Sequence, residues 1–242
     1  GPVLIDFIKK QEKFIDVFCF SEMIDGEEEE GNNLWGHEDG KRNHQLLSDI
    51  TKALLDHQTF FRPNLKGWIG LAMSIRKSVT LLEEGDLFVH KQPLRPDETL
   101  VGNSPRNIQF AHVIVGSYPL TIINFHGLFQ KGSKADSEDR LNQSRKVIDF
   151  LKTIQGEIVF GGDFNLAPET ESVAMFEQFG LRNLIKEYQV ESTRTSLYER
   201  DDKVADYVFV SKGIKVSEFK ILPDIVSDHS PVYLDFDITP HS

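Results

Sequence analysis

Glu157-Ile158-Val159-Phe160-Gly161-Gly162-Asp163-Phe164-Asn165 is the stretch on which the fold turns. Glu157–Phe160 reads as a short buried strand, rich in β-branched and aromatic residues and closed by glycine. A carboxylate and an amide follow at once, flanking Phe164. Polar groups just beyond a strand end are placed where a rigid scaffold carries its chemistry. Taken alone, Gly-Gly-Asp reads equally well as a turn, because glycine and aspartate are common there.

Strands and helices alternate irregularly on both sides of this stretch. Upstream, Ser137–Gln155 is an amphipathic helix with Leu141, Val147, Ile148 and Leu151 on its apolar stripe. Before it come four strand candidates: Gly67–Arg76, Thr80–His90, Ile108–Gly116 and Leu120–His126. Further back, His44–His57 reads as a helix, Asp16–Glu22 as a buried strand ending in a carboxylate, and Val3–Phe14 as a short helix. Downstream, Glu171–Phe179 reads as a helix, and Lys203–Val210, Lys215–Leu222 and Val232–Phe236 close the chain as strands. Asp25–Asn43 is a polar, glycine-rich loop, in which Glu27–Glu30 reads as a solvated charge run and Trp35 as a core cap or a stacking surface. The order predicts an α+β fold, a four-layered α/β sandwich of two packed mixed sheets flanked by helices. No repeat or linker divides it, so residues 1–242 are expected to form a single domain.

Composition narrows the function. A formal charge of −11 disfavours a broad basic face for wrapping nucleic acid, although a bound cation can invert the sign of an acidic pocket. With Cys19 as the single cysteine there is no intrachain disulfide, and its apolar neighbours give it the character of a small buried hydrophobe. The sequence contains no apolar run of the roughly 18 residues that a membrane helix needs. A cytoplasmic location is the expectation.

Seven polar residues sit at or near strand ends: Glu22, His126, Asp163, Asn165, Asp206, Asp228 and His229. Carboxylates are hard oxygen ligands that suit Mg²⁺, with Mn²⁺ as a substitute. Zinc fits less well, for want of a cysteine cluster or closely spaced histidines. Phosphoryl chemistry needs an ion on a non-bridging oxygen, donors for developing charge and a base that orients water. Asn165 and His126 can donate, His229 can act as base or phosphate contact, and Asp206 can hold the tautomer of His229. Each has a structural alternative: Asp228-His229 can be a turn, and His126 a satisfied core histidine.

Taken together and in order, these segments resemble the endonuclease/exonuclease/phosphatase superfamily, whose fold is that of pancreatic DNase. Phe18-Cys19-Phe20-Ser21-Glu22 is similar to its strand carrying a metal-binding Glu, with Ser21 where Gln is frequent. Gly70–Arg76 is similar to its second core strand, and Asn124-Phe125-His126 to the strand ending in a phosphate-contacting His. Gly162-Asp163-Phe164-Asn165 resembles its Gly-Asp-x-Asn signature, Ala205–Ser211 its Asp-Tyr strand, and Ser227-Asp228-His229 its Ser-Asp-His signature. The resemblance implies that Glu22 binds Mg²⁺ with Asp228 on the metal side. It further implies that Asp163 positions or activates water or assists the leaving group, that Asn165 and His126 contact phosphate oxygens, and that Asp206 orients His229. The family pattern also begins with a strand carrying an Asn, well upstream of the metal-binding Glu. Residues 1–242 start in the helix before Glu22, and a sandwich without that strand would expose a sheet edge, so an upstream segment is expected.

Substrate is less legible, because a fold does not choose one. Lys41-Arg42, Arg62, Lys66, Arg76-Lys77, Lys91 and Arg95 are ordinary surface charge or a narrow nucleic-acid footprint. Phe60, Phe61 and Trp68 read as core. The leading expectation is Mg²⁺-dependent hydrolysis of a phosphodiester, with DNA or RNA as the substrate partner. A small or lipid-derived phosphate and a catalytically silent binding module are the alternatives, and no obligate protein partner is evident.

Overall fold

The apolar run ahead of Gly161 becomes a central strand of a six-stranded sheet. The computed structural model describes residues 2–26, 45–65, 69–93, 98–100 and 102–239. The readings of Glu27–Glu30, Trp35, Lys41, Arg42, Lys66, Trp68 and Arg95 lie outside the described residues. In chain order the first elements are α1 (Pro2–Gln11), β1 (Val17–Ile24), α2 (Leu46–Ala53), β2 (His57–Leu65), β3 (Ile69–Arg76), β4 (Thr80–His90), β5 (Arg106–Val115) and β6 (Tyr118–His126). There follow α3 (Glu138–Leu151), β7 (Glu157–Asp163), α4 (Glu171–Phe179), β8 (Arg182–Asn183), α5 (Leu184–Glu187), β9 (Asp206–Val210), β10 (Ile214–Ile221) and β11 (Val232–Ile238).

The large sheet runs β4-β5-β6-β7-β9-β8. Its one parallel pair among the described residues, β6 with β7, is joined through α3, as a parallel pair requires a crossover. A three-stranded antiparallel sheet has the order β1-β3-β2, and β10–β11 forms a separate hairpin. Helices cover both outer faces. Ile8 of α1 and Leu47 and Ile50 of α2 pack with Met23 and Ala72 of the small sheet. Val147 and Leu151 of α3 and Val173 and Phe176 of α4 pack with Phe160 and Phe209 of the large one. The sequence of layers is helix, sheet, sheet, helix. Among the described residues only the large sheet is mixed.

The seam between the sheets is partly polar. Asn124 Nδ2 of β6 donates across it to Phe20 O at 3.0 Å and Ala72 O at 3.2 Å. Gln109 Nε2 donates to Phe60 O at 3.0 Å, and Asn64 Nδ2 to Asn107 Oδ1 at 3.2 Å. These side chains are buried, and the bonds meet donors that would otherwise be desolvated, although Asn64 Oδ1 and Gln109 Oε1 have no acceptor role among the described residues.

Beyond β1, which runs past Glu22 to Ile24 and leaves Cys19 exposed, and the short β8 and α5, two elements depart from the sequence expectation. His57 begins β2 instead of ending the helix, which stops at Ala53. Pro63 hides β2 from a strand reading, yet β2 is an edge strand, where proline is tolerated. Opposite Pro63 lies Gly70, where a Cβ would come 2.2 Å from Arg62 O. The other departure is β7, which continues through Asp163 and so carries that carboxylate on the sheet itself. No described helix is long and apolar enough to cross a membrane.

Candidate active site

Strand register sets the site. His126 pairs with Asp163 across the parallel β6–β7 ladder, and Asp163 pairs with Asp206 across β7–β9. One row of partners therefore ends three neighbouring strands with a histidine and two carboxylates. The backbone fixes the row further: Gly127 N donates to Asp163 O at 2.7 Å and Phe164 N to Ala205 O at 2.8 Å. Two glycines permit this closeness. A Cβ on Gly162, which has φ +140°, would lie 1.9 Å from Phe125 O, and one on Gly127 would lie 2.1 Å from Phe164 O.

Phe164 anchors the turn that follows. It is fully buried, with ring centroids of Phe125, Phe160 and Tyr207 at 4.9, 5.0 and 5.1 Å. Asp163 and Asn165 are thus held on either side of a side chain locked into an aromatic cluster. Asn165 takes up φ 54°, in the left-handed region that asparagine tolerates better than most residues. Its N–H donates to Asp163 Oδ1 at 2.8 Å, and its Nδ2 to Gly127 O at 3.3 Å. One amide hydrogen of Asn165 remains for another acceptor.

His229 enters from the loop before β11. Its Nδ1 lies 2.9 Å from both Asp206 oxygens, and since a carboxylate only accepts, Nδ1–H is the donor. Nε2 then faces the row, 3.5 Å from Asp163 Oδ2. Burial pulls the imidazole down, but the Asp206 hydrogen bond and the charges of Asp206 and Asp163 outweigh it and raise the pKa to about 9. The Asp163 carboxyl is pushed up to about 6, by burial first and by the Asp206 charge second. His126 goes the other way: burial, then the charges of Arg106 and His229, hold it well below its usual range, so it is a neutral imidazole at pH 7.

Glu22 stands across the seam on β1. Its backbone is left-handed at φ 55°, inside a bulge that shifts the register between Phe20 and Met23. Bulges re-aim side chains, and strained residues of this kind gather at functional sites. The carboxylate is 68% exposed and 3.7 Å from His126 Nε2, too far for a hydrogen bond and facing a neutral ring. Asp228 lies beside His229, with Oδ2 3.9 Å from Nε2 and accepting from Arg194 Nη1 at 2.8 Å. The sequence-identified residues therefore converge as Asp163, Asn165, Asp206, His126 and His229, with Glu22 at one side and Asp228 at the other.

Potential ligand atoms of Asp163, Asp206 and His229 lie within 4.8 Å of one another. Asp206 is already engaged by His229, so this trio mainly bonds to itself. Glu22, outside that trio, is an exposed hard-oxygen donor at the bulge, a ligand type that Mg²⁺ accepts.

Two residues escaped the sequence reading. Arg106 is buried at the start of β5, where Nε donates to Gly127 O at 3.0 Å and its charge faces Glu22 and Asp163. Arg194 touches His229 directly. Neither belongs to an apolar period or to a recognisable motif, since Arg106 lies ahead of the apolar run that marks β5 and Arg194 lies in the polar segment Glu191–Thr195.

A family model described as "Endonuclease/Exonuclease/phosphatase family" matches residues 3–229. The sequence has no match among curated proteins. Similar solved structures include a mannosyl-6-phosphatase from Bacteroides thetaiotaomicron, with TM-score 0.74 at 17% identity over 98% of this chain and 91% of that one. An endonuclease/exonuclease/phosphatase family protein from the same organism gives TM-score 0.73 at 18% identity over 98% and 86%. TDP2 from D. rerio, complexed with single strand DNA product, gives 0.69 at 17% identity over 97% and 91%. At these identities the likeness to solved structures is one of fold.

Proposed function

The chain belongs to the endonuclease/exonuclease/phosphatase family, and on that premise we propose that it hydrolyses a phosphoric ester by in-line attack of water at the His126–Asp163–Asp206 row. The observation that carries this reading is the register itself, which aligns three functional groups on adjacent strands and sets His229 Nε2 against Asp163.

Asp163 takes the proton of the attacking water. Its buried carboxyl, raised toward neutrality, matches the pKa that a general base needs. Oδ1 is held by the Asn165 N–H, which leaves Oδ2 for the water. The neutral His126 and the remaining amide hydrogen of Asn165 donate to phosphoryl oxygens, and both are fixed before substrate arrives. His229, oriented by Asp206, turns its Nε2 toward the charge that develops as the oxygen–phosphorus bond forms and the leaving oxygen departs. Glu22 would hold Mg²⁺, with Mn²⁺ as a substitute. When bound there, such an ion supplies Lewis-acid polarisation of a phosphoryl oxygen.

A nucleic-acid phosphodiester is the leading substrate, in keeping with a relative of the same fold that carries a DNA product. A small phosphate ester is a second reading, and one observation favours it. Arg62 and Arg76, two members of the candidate basic footprint, are spent on ion pairs with Glu84 and Asp16. The deciding experiment compares Mg²⁺-dependent hydrolysis of DNA, RNA and phosphomonoesters, with EDTA and Asp163→Asn as controls. Turnover that survives both controls would refute the proposed chemistry. A folded protein inert toward every substrate would return the case to a silent binding module.

A further inference from the structure

Arg194 is placed with unusual firmness for a residue in a polar loop. Thr195 N donates to Asp228 O at 3.0 Å and Ser230 N to Thr193 O at 2.9 Å, so the segment is laced to the loop that carries His229. Thr193 Oγ1, fully buried, also accepts from Ala205 N at 3.2 Å and from Asp206 N at 3.3 Å. The Arg194 backbone is thereby tied to both partners of the Asp206–His229 pair.

Its side chain is just as confined. It is 6% exposed, with Cζ 4.2 Å from the Tyr198 ring centroid, and Asp228 Oδ2 holds Nη1 at 2.8 Å. The same Nη1 is in direct contact with His229 Nε2. Nε is buried without an acceptor among the described residues. A buried guanidinium N–H with no partner is costly to leave unmet, and the fork geometry of arginine suits a phosphate oxygen.

We propose that Arg194 is a substrate-binding residue whose guanidinium, steered by Asp228, holds a phosphoryl oxygen beside His229. Nη1 is already met by Asp228 Oδ2 and His229 Nε2, so the Nε and Nη2 hydrogens are the ones left for an anion beside His229. Asp228 then acts as a positioning residue: it fixes one edge of the fork and leaves the rest for the anion. Tyr198 closes the guanidinium from behind through a cation–π contact. The assignment rests on the hydrolase reading of the row and adds to it a cationic contact for the transferred group.

The test has two parts. Binding of inorganic phosphate is measured by calorimetry on the wild type, Arg194→Gln and Arg194→Lys, alongside steady-state kinetics on whichever ester the wild type cleaves. Loss of one charge-assisted contact predicts phosphate binding and KM weakened about 10- to 100-fold in Arg194→Gln. Arg194→Lys should recover part of this loss, because it keeps the charge but not the fork. Asp228→Asn should raise KM more than it lowers kcat. In the wild type, the side-chain Nε resonance of Arg194 should shift as phosphate is added, a readout that needs no variant to fold. Phosphate that binds the wild type without moving that resonance, or that binds folded Arg194→Gln unchanged, overturns the assignment of Arg194. A wild type that neither binds phosphate nor cleaves any ester overturns the hydrolase reading on which it rests.

Discussion

Replacing Asp206 by Asn keeps an acceptor beside His229 and removes the charge. In the metal-free protein the imidazole is raised from 6.5 to about 9, and its hydrogen bond to Asp206 is the largest contribution acting upward. At about 1.4 kcal/mol per unit, the rise amounts to a ceiling of about 3 kcal/mol of stability. Because the folded value lies above the unfolded one, that contribution is whole below about pH 6.5 and is lost as pH rises through about 9. Two effects reduce it. The ring is 28% exposed and partly screened, and Asp163 is relieved of a neighbouring charge that pushes its own carboxyl up. A net loss of about 1–2 kcal/mol near pH 7 is expected, fading toward zero by about pH 10. Denaturant unfolding of wild type and variant in EDTA, across that range, measures the difference, and an NMR titration of His229 follows the imidazole directly. Its pKa should fall in the variant. A loss of equal size at about pH 6.5 and about pH 10, or an imidazole that still titrates near 9, would refute the argument that the Asp206 carboxylate is what raises His229.

Asp163→Asn should leave the fold intact and lower turnover by about 10²–10⁴, the usual contribution of a positioned base, with ligand binding changed far less. Equal losses of binding and turnover would remove Asp163 from that role. Phe164→Ala empties the centre of the aromatic cluster and should cost about 3–5 kcal/mol in denaturant unfolding; a cost below about 1 would mean that the turn is held by its backbone alone. Gly162→Ala meets both a φ of +140° and the Phe125 carbonyl, so it should destabilise by well over 1 kcal/mol, read as a fall in thermal midpoint. Chelation should abolish hydrolysis and Mn²⁺ should restore it, whereas full activity in EDTA would exclude a divalent ion at Glu22.

Much of this architecture could be read from the chain because its signals are local. Most strands and the larger helices follow apolar periodicity, which short-range packing enforces. β2 was lost because Pro63 masks an edge strand, and edge position is a property of the sheet rather than of the segment. β8 and α5, of 2 and 4 residues, are too short to carry a period. Within the site, Asp163, Asn165 and His229 were visible because they sit in dense polar signatures. Arg194 was not, since its role depends on lacing between loops some 34 residues apart in sequence. The pairing of Asp228 with that arginine was invisible for the same reason. Arg106 illustrates a third limit: a buried cation is recognisable only once the carbonyl and carboxylates around it have been brought together from β1, β7 and the turn after β6.

The amides along the seam between the sheets have a consequence beyond satisfying their own polarity. Asn124 lies two residues before His126, and it reaches Phe20, two residues before Glu22. Apolar contacts alone would let one sheet glide over the other at little cost, since dispersion has no direction. A hydrogen bond allows no such travel, so the seam works like a dowel that indexes Glu22 against His126. A sandwich with its seam rebuilt in hydrocarbon could unfold at the same denaturant concentration and still have its two halves out of alignment. Thermal screening would pass such a protein, and only an assay of the chemistry would reveal what the amides had been keeping in place.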